Sequence, residues 1–182
     1  MNKSQIGIAI LPSEDYALFI RKKEIYLSKK YYTIRGLLQP PHVTIKWPFE
    51  VDDISIFEDY CKELSNDTTP FKINAEGYGF FEPKVIFLKV LPSNELIELH
   101  LKILDDLKVR FNIEKNKFEG RNQQFHTTLA YEDISEDAFY RAKEELETSE
   151  EPKISFKFNS IGLFKFTGEE WVIHKKFEVK NE

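Results

Sequence analysis

The chain has one cysteine, Cys61, in 182 residues. A single thiol forms no internal disulfide and builds no thiolate metal site, so a reducing cytoplasm is the natural setting. Long hydrophobic runs are missing as well. The longest, such as Val85-Ile86-Phe87-Leu88, are far too short to span a bilayer. No secretory leader is expected, because the short Ile6–Leu11 run is followed directly by Glu14 and Asp15. Positive charge is in deficit: the net charge is −5. That argues against gripping long duplex nucleic acid through its phosphates, while leaving short or small anionic substrates open. Seven glycines and eight prolines are scattered, with no Gly/Ser linker, low-complexity segment or domain boundary. What is present is ordinary for a folded protein, 41% hydrophobic and 31% charged, enough for one core-bearing domain over residues 1–182.

Elements follow from period and punctuation. Gln5–Leu11 reads as a strand ending at Pro12, and Ser13-Glu14-Asp15 starts a helix that runs to about Lys30. His42–Phe49 reads as a strand. Ile54, Phe57, Cys61 and Leu64 share one face of a short helix, which puts Cys61 in the core and makes it inert. Phe71–Phe81 and Lys84–Leu91 form a hairpin turning at Glu82-Pro83. Leu96, Leu99, Ile103 and Leu107 mark a helix capped by Ser93 or Asn94 and ending near Phe111. Phe125–Tyr131 is a strand, Ser135 caps a last helix, and Ile154–Phe166 and Trp171–Val179 close the chain as two strands. There is no regular βαβ rhythm and no Gly-rich first turn, so the expected class is α+β with largely antiparallel sheet.

The chain also repeats itself. His42-Val-Thr-Ile-Lys-Trp leads into Asp53-Ile54-Ser55 and a helix, and His126-Thr-Thr-Leu-Ala-Tyr leads into Asp133-Ile134-Ser135 and a helix, 84 residues later. With eight threonines in 182 residues, a Thr two places after two of the four histidines is a rare coincidence. The repeat implies two similar lobes, each presenting one such strand.

Side chains at i and i+2 of a strand point to the same face. His42 and Thr44 therefore share a face, opposite Val43, Ile45 and Trp47. His126 and Thr128 share another, opposite Thr127, Leu129 and Tyr131, with Thr127 assigned to packing. If the lobes face each other, two imidazoles and two hydroxyls meet in one cleft. Such a set suits a phosphodiester. One neutral His takes a proton from water, a protonated His gives one to the leaving oxygen, and Thr hydroxyls donate to phosphate oxygens. That chemistry requires no metal and no cofactor, and it gives a bell-shaped pH profile around neutrality.

The pair His42-x-Thr44 and His126-x-Thr128 resembles the 2H phosphoesterase superfamily, the 2′-5′ RNA ligase-like and cyclic phosphodiesterase proteins. The first strand, Pro41 before His42, Gly77-Tyr78-Gly79-Phe80 leading into Val85–Leu91, and the terminal strand pair all match that layout. Phe125 departs from it, standing where a proline often precedes the second His. The resemblance implies a bilobal fold with pseudo-twofold symmetry: two mostly antiparallel sheets, flanking helices, and motif strands lining a central cleft. It also implies metal-independent cleavage of nucleotide 2′,3′-cyclic phosphates or 2′-5′ bonds, with reverse ligation compatible with the same cleft. The expected partner is a nucleotide or short RNA, and nothing demands more than a monomer. A different class of reading is a module that binds RNA ends or nucleotides without turnover. Metal hydrolysis is disfavoured, since neither motif has ligand spacing.

Several further residues carry weaker expectations. Lys46, one step along the His42 face, either steadies phosphate charge or meets solvent. Arg121, in the loop before the second motif, is an exposed cation or enters the cleft mouth, and Arg35 is weaker again. Tyr78, Phe80, Phe81 and Phe164 are candidates for base stacking, in competition with core packing. His100, mid-helix with no evident partner, is assigned to the surface or partial burial, and His174 to solvent.

Overall fold

Two long helices show how closely the halves of this chain repeat each other in a computed structural model that describes residues 3–180. Helix α1 (Glu14–Tyr31) and helix α3 (Asn94–Phe111) each have 18 residues and each follow an extended serine, Ser13 and Ser93. Only Ser93 closes its cap, accepting from the Leu96 N–H at 3.2 Å. Both helices stop on a left-handed residue, Tyr32 (φ 56°) and Asn112 (φ 53°), whose N–H turns back to Ser28 O and Lys108 O. Helices α2 (Ser55–Asp67) and α4 (Glu136–Thr148) have 13 residues each. Each follows a motif strand, β2 (Val43–Val51) or β5 (His126–Tyr131). With β1 (Ser4–Ile10) and β4 (Val85–Val90) placed before the long helices, the repeat is β1-α1-β2-α2 and β4-α3-β5-α4.

The remaining strands are β3 (Phe71–Phe81), β6 (Lys153–Phe158), β7 (Ser160–Phe166) and β8 (Trp171–Glu178). They complete two four-stranded antiparallel sheets, ordered β2-β1-β7-β8 and β5-β4-β3-β6. Each motif strand is therefore a sheet edge. The long helices change lobes: α1 leaves the first sheet to pack on β5 and β6, and α3 leaves the second to pack on β2. The α+β, bilobal, antiparallel architecture is the expected one. No helix among the described residues is long and apolar enough to cross a membrane.

One strand expectation needs correcting. Ile154–Phe166 is not one strand; it breaks at Asn159 into β6, an edge of the second sheet, and β7, central in the first. The reason is visible in the phase of the apolar residues. Phe156 and Phe158 alternate with exposed neighbours, whereas Ser160–Phe164 are buried without interruption, as a central strand covered on both faces must be. Cys61 has no exposure, and burial pushes its thiol up to about 12.

Glu24 is a buried carboxyl of α1 with neither oxygen in a well-formed hydrogen bond, although Arg21 Nη1 lies 2.8 Å away. Burial outweighs the arginine and lifts its pKa to about 8. The native state thus holds a proton that the unfolded chain has released above its ordinary carboxylate pKa. Stability from this group is complete below pH ~4.5 and declines as pH rises to about 8, where it levels off. Glu24→Gln removes that dependence. Urea unfolding at pH 8 should show the variant more stable by about 2–4 kcal/mol, with little difference at pH 4.5. An unchanged slope of stability between pH 5 and 8 would contradict it.

Candidate active site

The two motif strands run along facing edges of a cleft of about 380 Å³, lined by His42, Thr44, His126 and Thr128 together. Period two puts them there: Val43 and Ile45 have no exposure on the opposite face, and Thr127 and Leu129 are buried at 1% and 2%. Thr127 faces away and shares a 3.0 Å hydrogen bond with the Tyr16 hydroxyl.

Each histidine is set by its own approach to the strand. His42 Nδ1 lies 2.7 Å from the Pro40 carbonyl and His126 Nδ1 2.9 Å from that of Gln124, two residues back in both cases. A carbonyl only accepts, so Nδ1 carries the hydrogen in each ring and Nε2 is left for chemistry. Phe125 in place of proline leaves this geometry unchanged. Aromatic rings dry both imidazoles. Phe164 sits 4.7 Å from His42, and Phe87 and Phe81 sit 4.8 and 5.4 Å from His126. Phe87 reaches its place because Gly79 opposite has no side chain; a Cβ there would lie 2.2 Å from the ring. Burial pushes the His42 pKa down to about 4, with a protonated His126 pushing the same way, and burial also lowers that of His126.

Just past the threonine, both motif strands carry an extra residue. Thr44 and Lys46 face consecutive residues Ala9 and Ile8, and Thr128 and Ala130 face consecutive residues Phe87 and Ile86. Ile45 and Leu129 are thus bulge positions at the same place in each repeat. A bulge shifts alternation by one, which corrects two expectations: Trp47 and Tyr131 line the cleft and not the buried face. Lys46 neither meets solvent nor stands as a bare phosphate ligand. It borders the cleft at 2% exposure, its ammonium 2.8 Å from Glu119, itself without exposure.

A bulge in β3 itself explains its aromatics. The register slips between Ala75 and Tyr78 around Gly77, at φ 72°. Tyr78 and Phe80 consequently pack against the core side, Phe80 edge-on to Phe139, and neither lines the cleft. Phe81 and Phe164 do line it. Trp171, Gln39 and Glu132 also line it; they come from a terminal strand and from loops, and no local pattern marks them.

The free edge of β2 is covered by the loop that leads to His126. Glu119 accepts from the Trp47 N–H at 2.7 Å and the Asn116 N–H at 2.6 Å, and the Gln123 amide donates to Thr44 O at 3.1 Å. His100 joins this seal and overturns its surface assignment. It has no exposure, donates from Nδ1 to the bulge carbonyl of Ile45 at 2.7 Å, and accepts from the Gly120 N–H at 3.1 Å. Burial lowers its pKa, which keeps it neutral for both bonds. On the other side Arg21 donates to Leu37 O and Gln39 O in the loop before His42, and Gly36 packs on the bulge carbonyl of Leu129, where a Cβ would lie 2.5 Å away. Arg121 is exposed and does not line the cleft; Arg35 pairs with Glu132; His174 is exposed and pairs with Glu58 at 2.8 Å. Among the described residues, no group of three or more His, Cys, Asp or Glu side chains is placed to hold a metal ion.

Comparison with known proteins converges on one description. A family model, the 2′-5′ RNA ligase superfamily, matches residues 14–170. A protein of Oceanobacillus iheyensis named “Putative phosphoesterase OB1230” is 28% identical over 181 residues, spanning 94% of this chain and 95% of that one. A Geobacillus kaustophilus protein of the same description is 35% identical over 102 residues, 52% of this chain and 54% of the other. Among solved structures, Escherichia coli LigT in apo form has a TM-score of 0.62 at 15% identity, with both chains fully covered. LigT complexed with 3′-AMP gives 0.63 at 17%, covering 99% of this chain and 100% of that one. TT0787 of Thermus thermophilus gives 0.62 at 14%, covering 98% and 99%. These structural likenesses establish a shared fold.

Proposed function

Because this chain belongs to the 2′-5′ RNA ligase superfamily, whose members are 2H phosphoesterases, we propose that it is a metal-independent phosphodiesterase acting on nucleotide 2′,3′-cyclic phosphates or 2′-5′ bonds. One observation carries the reading: two histidines, each with Nδ1 tied to a backbone carbonyl, border one cleft beside two threonines. A phosphate in that cleft has an imidazole on either side. One neutral Nε2 removes a proton from water as its oxygen attacks phosphorus. The bond from phosphorus to the 2′ or 3′ oxygen breaks, and the other, protonated, Nε2 delivers its proton to that oxygen. Thr44 and Thr128 hydroxyls donate to the non-bridging oxygens as charge gathers on them. The two histidines exchange roles when the direction of attack is reversed. An assay in EDTA with 2′,3′-cyclic mononucleotides and a 2′-5′-linked oligoadenylate tests the reading; loss of all activity in EDTA would sink it.

The depressed imidazole pKa values give a pH prediction. In the free protein the general-acid histidine keeps its proton only below its shifted pKa; above that both rings are neutral. The maximum of kcat/KM should therefore fall below pH ~6.5, with a decline on the alkaline side. A bound phosphate anion favours the protonated ring, so the kcat maximum should lie at higher pH than that of kcat/KM. A kcat/KM that rises from pH 6 to 9 would contradict the two-histidine mechanism.

A further inference from the structure

The charged side chains that line the cleft, the histidines aside, are matched in pairs. Apart from the two histidines, the described lining residues include two charged side chains, Lys46 and Glu132. Lys46 is neutralised by Glu119 in a pair with 2% and 0% exposure. Glu132 stands at the mouth, six residues beyond His126, and is paired with Arg35. Its backbone is left-handed (φ 61°) and is held by its N–H donating to Lys84 O at 3.0 Å. The Arg35 guanidinium is thus already engaged by a carboxylate. A cleft built to follow a polyanion presents unmatched basic groups along its length; this one presents none among its described lining residues.

The walls point the same way. Trp47, Phe81, Tyr131, Phe164 and Trp171 all line the cleft, and Phe164 and Trp171 form with Ala9 and Leu11 an apolar cluster separate from the main core. Such faces suit a nucleobase. A volume of about 380 Å³ is near the lower end of small-molecule pockets.

The geometry points to a nucleoside-sized phosphodiester bearing a single negative charge as the substrate, its base against the aromatic walls, with the Arg35–Glu132 pair selecting against a second phosphate. This rests on the phosphodiesterase reading and narrows it, away from 5′-phosphorylated oligonucleotides and RNA ends.

The test compares adenosine 2′,3′-cyclic phosphate with its 5′-phosphorylated counterpart, by turnover and by binding. Both tryptophans of the chain, Trp47 and Trp171, line the cleft, so their fluorescence reports occupancy directly. The substrate with a free 5′-hydroxyl should be favoured at least about tenfold at low salt, and less so at high salt. Glu132→Gln releases Arg35 and should narrow the ratio at least about threefold; Arg35→Gln releases Glu132 and should widen it by a similar factor. A structural disturbance would shift both substrates together and both variants in one direction. Equal handling of the two substrates, or preference for the 5′-phosphate, overturns the inference. Binding with the expected preference but no turnover of either substrate overturns the hydrolytic reading and leaves the charge selection standing. Binding of neither overturns both.

Discussion

His42→Ala and His126→Ala should each lower kcat on a 2′,3′-cyclic mononucleotide by at least about a hundredfold, since a positioned acid or base contributes roughly 10²–10⁴. The two losses should not multiply. Once either proton-transfer group is gone, the other has no partner step to complete, so the double variant should be little slower than the worse single one. Folding is not at stake in this comparison. Each imidazole is half-buried at the cleft, and its described protein hydrogen bond goes to a carbonyl two residues back. Thermal unfolding of both variants should therefore stay within a few degrees of the parent. A variant that keeps the full rate would take that histidine out of the site.

Glu119→Ala should be among the most damaging single substitutions for stability, lowering it by about 3–5 kcal/mol, or roughly 10 °C in Tm. Its carboxylate is the counter-charge of Lys46 with neither side chain in water. It also accepts from the backbone N–H groups of Trp47 and Asn116. Removing it strands a buried ammonium and takes the acceptor from two part-buried backbone donors. Replacing the pair together, Lys46→Met with Glu119→Gln, should recover part of the loss: no charge is left unmatched, and the single glutamine oxygen still accepts from one of the two backbone N–H groups that the carboxylate oxygens serve. Activity should follow stability: this carboxylate anchors the loop that enters His126. A Glu119→Ala protein within about 1 kcal/mol of the parent would show that water reaches Lys46.

Alternation along β3 puts Phe80 and Phe81 on opposite faces, and a bulge decides which of the two meets the cleft. Tyr78, Phe80, Phe81 and Phe164 are alike in composition and context. A bulge at Gly77 turns the first two toward the core, while Phe81 and Phe164 line the cleft. The same device, repeated at Ile45 and Leu129, brings Trp47 and Tyr131 onto the side of the histidines.

By itself the sequence determined whatever depends on neighbours along the chain. Helix α3 follows from its cap and period, the start of α1 from Ser13-Glu14-Asp15, and the shared face of His42 with Thr44 and of His126 with Thr128 from strand geometry alone. The duplication, and with it the two-lobed α+β architecture, follows from a motif written twice. The tertiary structure decided what depends on a partner far along the chain. A bulge exists only relative to the strand beside it. His100 is buried because Ile45, 55 residues away, offers a carbonyl freed by such a bulge. Lys46 is neutralised because a loop 73 residues on covers an open sheet edge. The charge balance of the cleft belongs to this second group, since no stretch of sequence shows which lysine meets which glutamate.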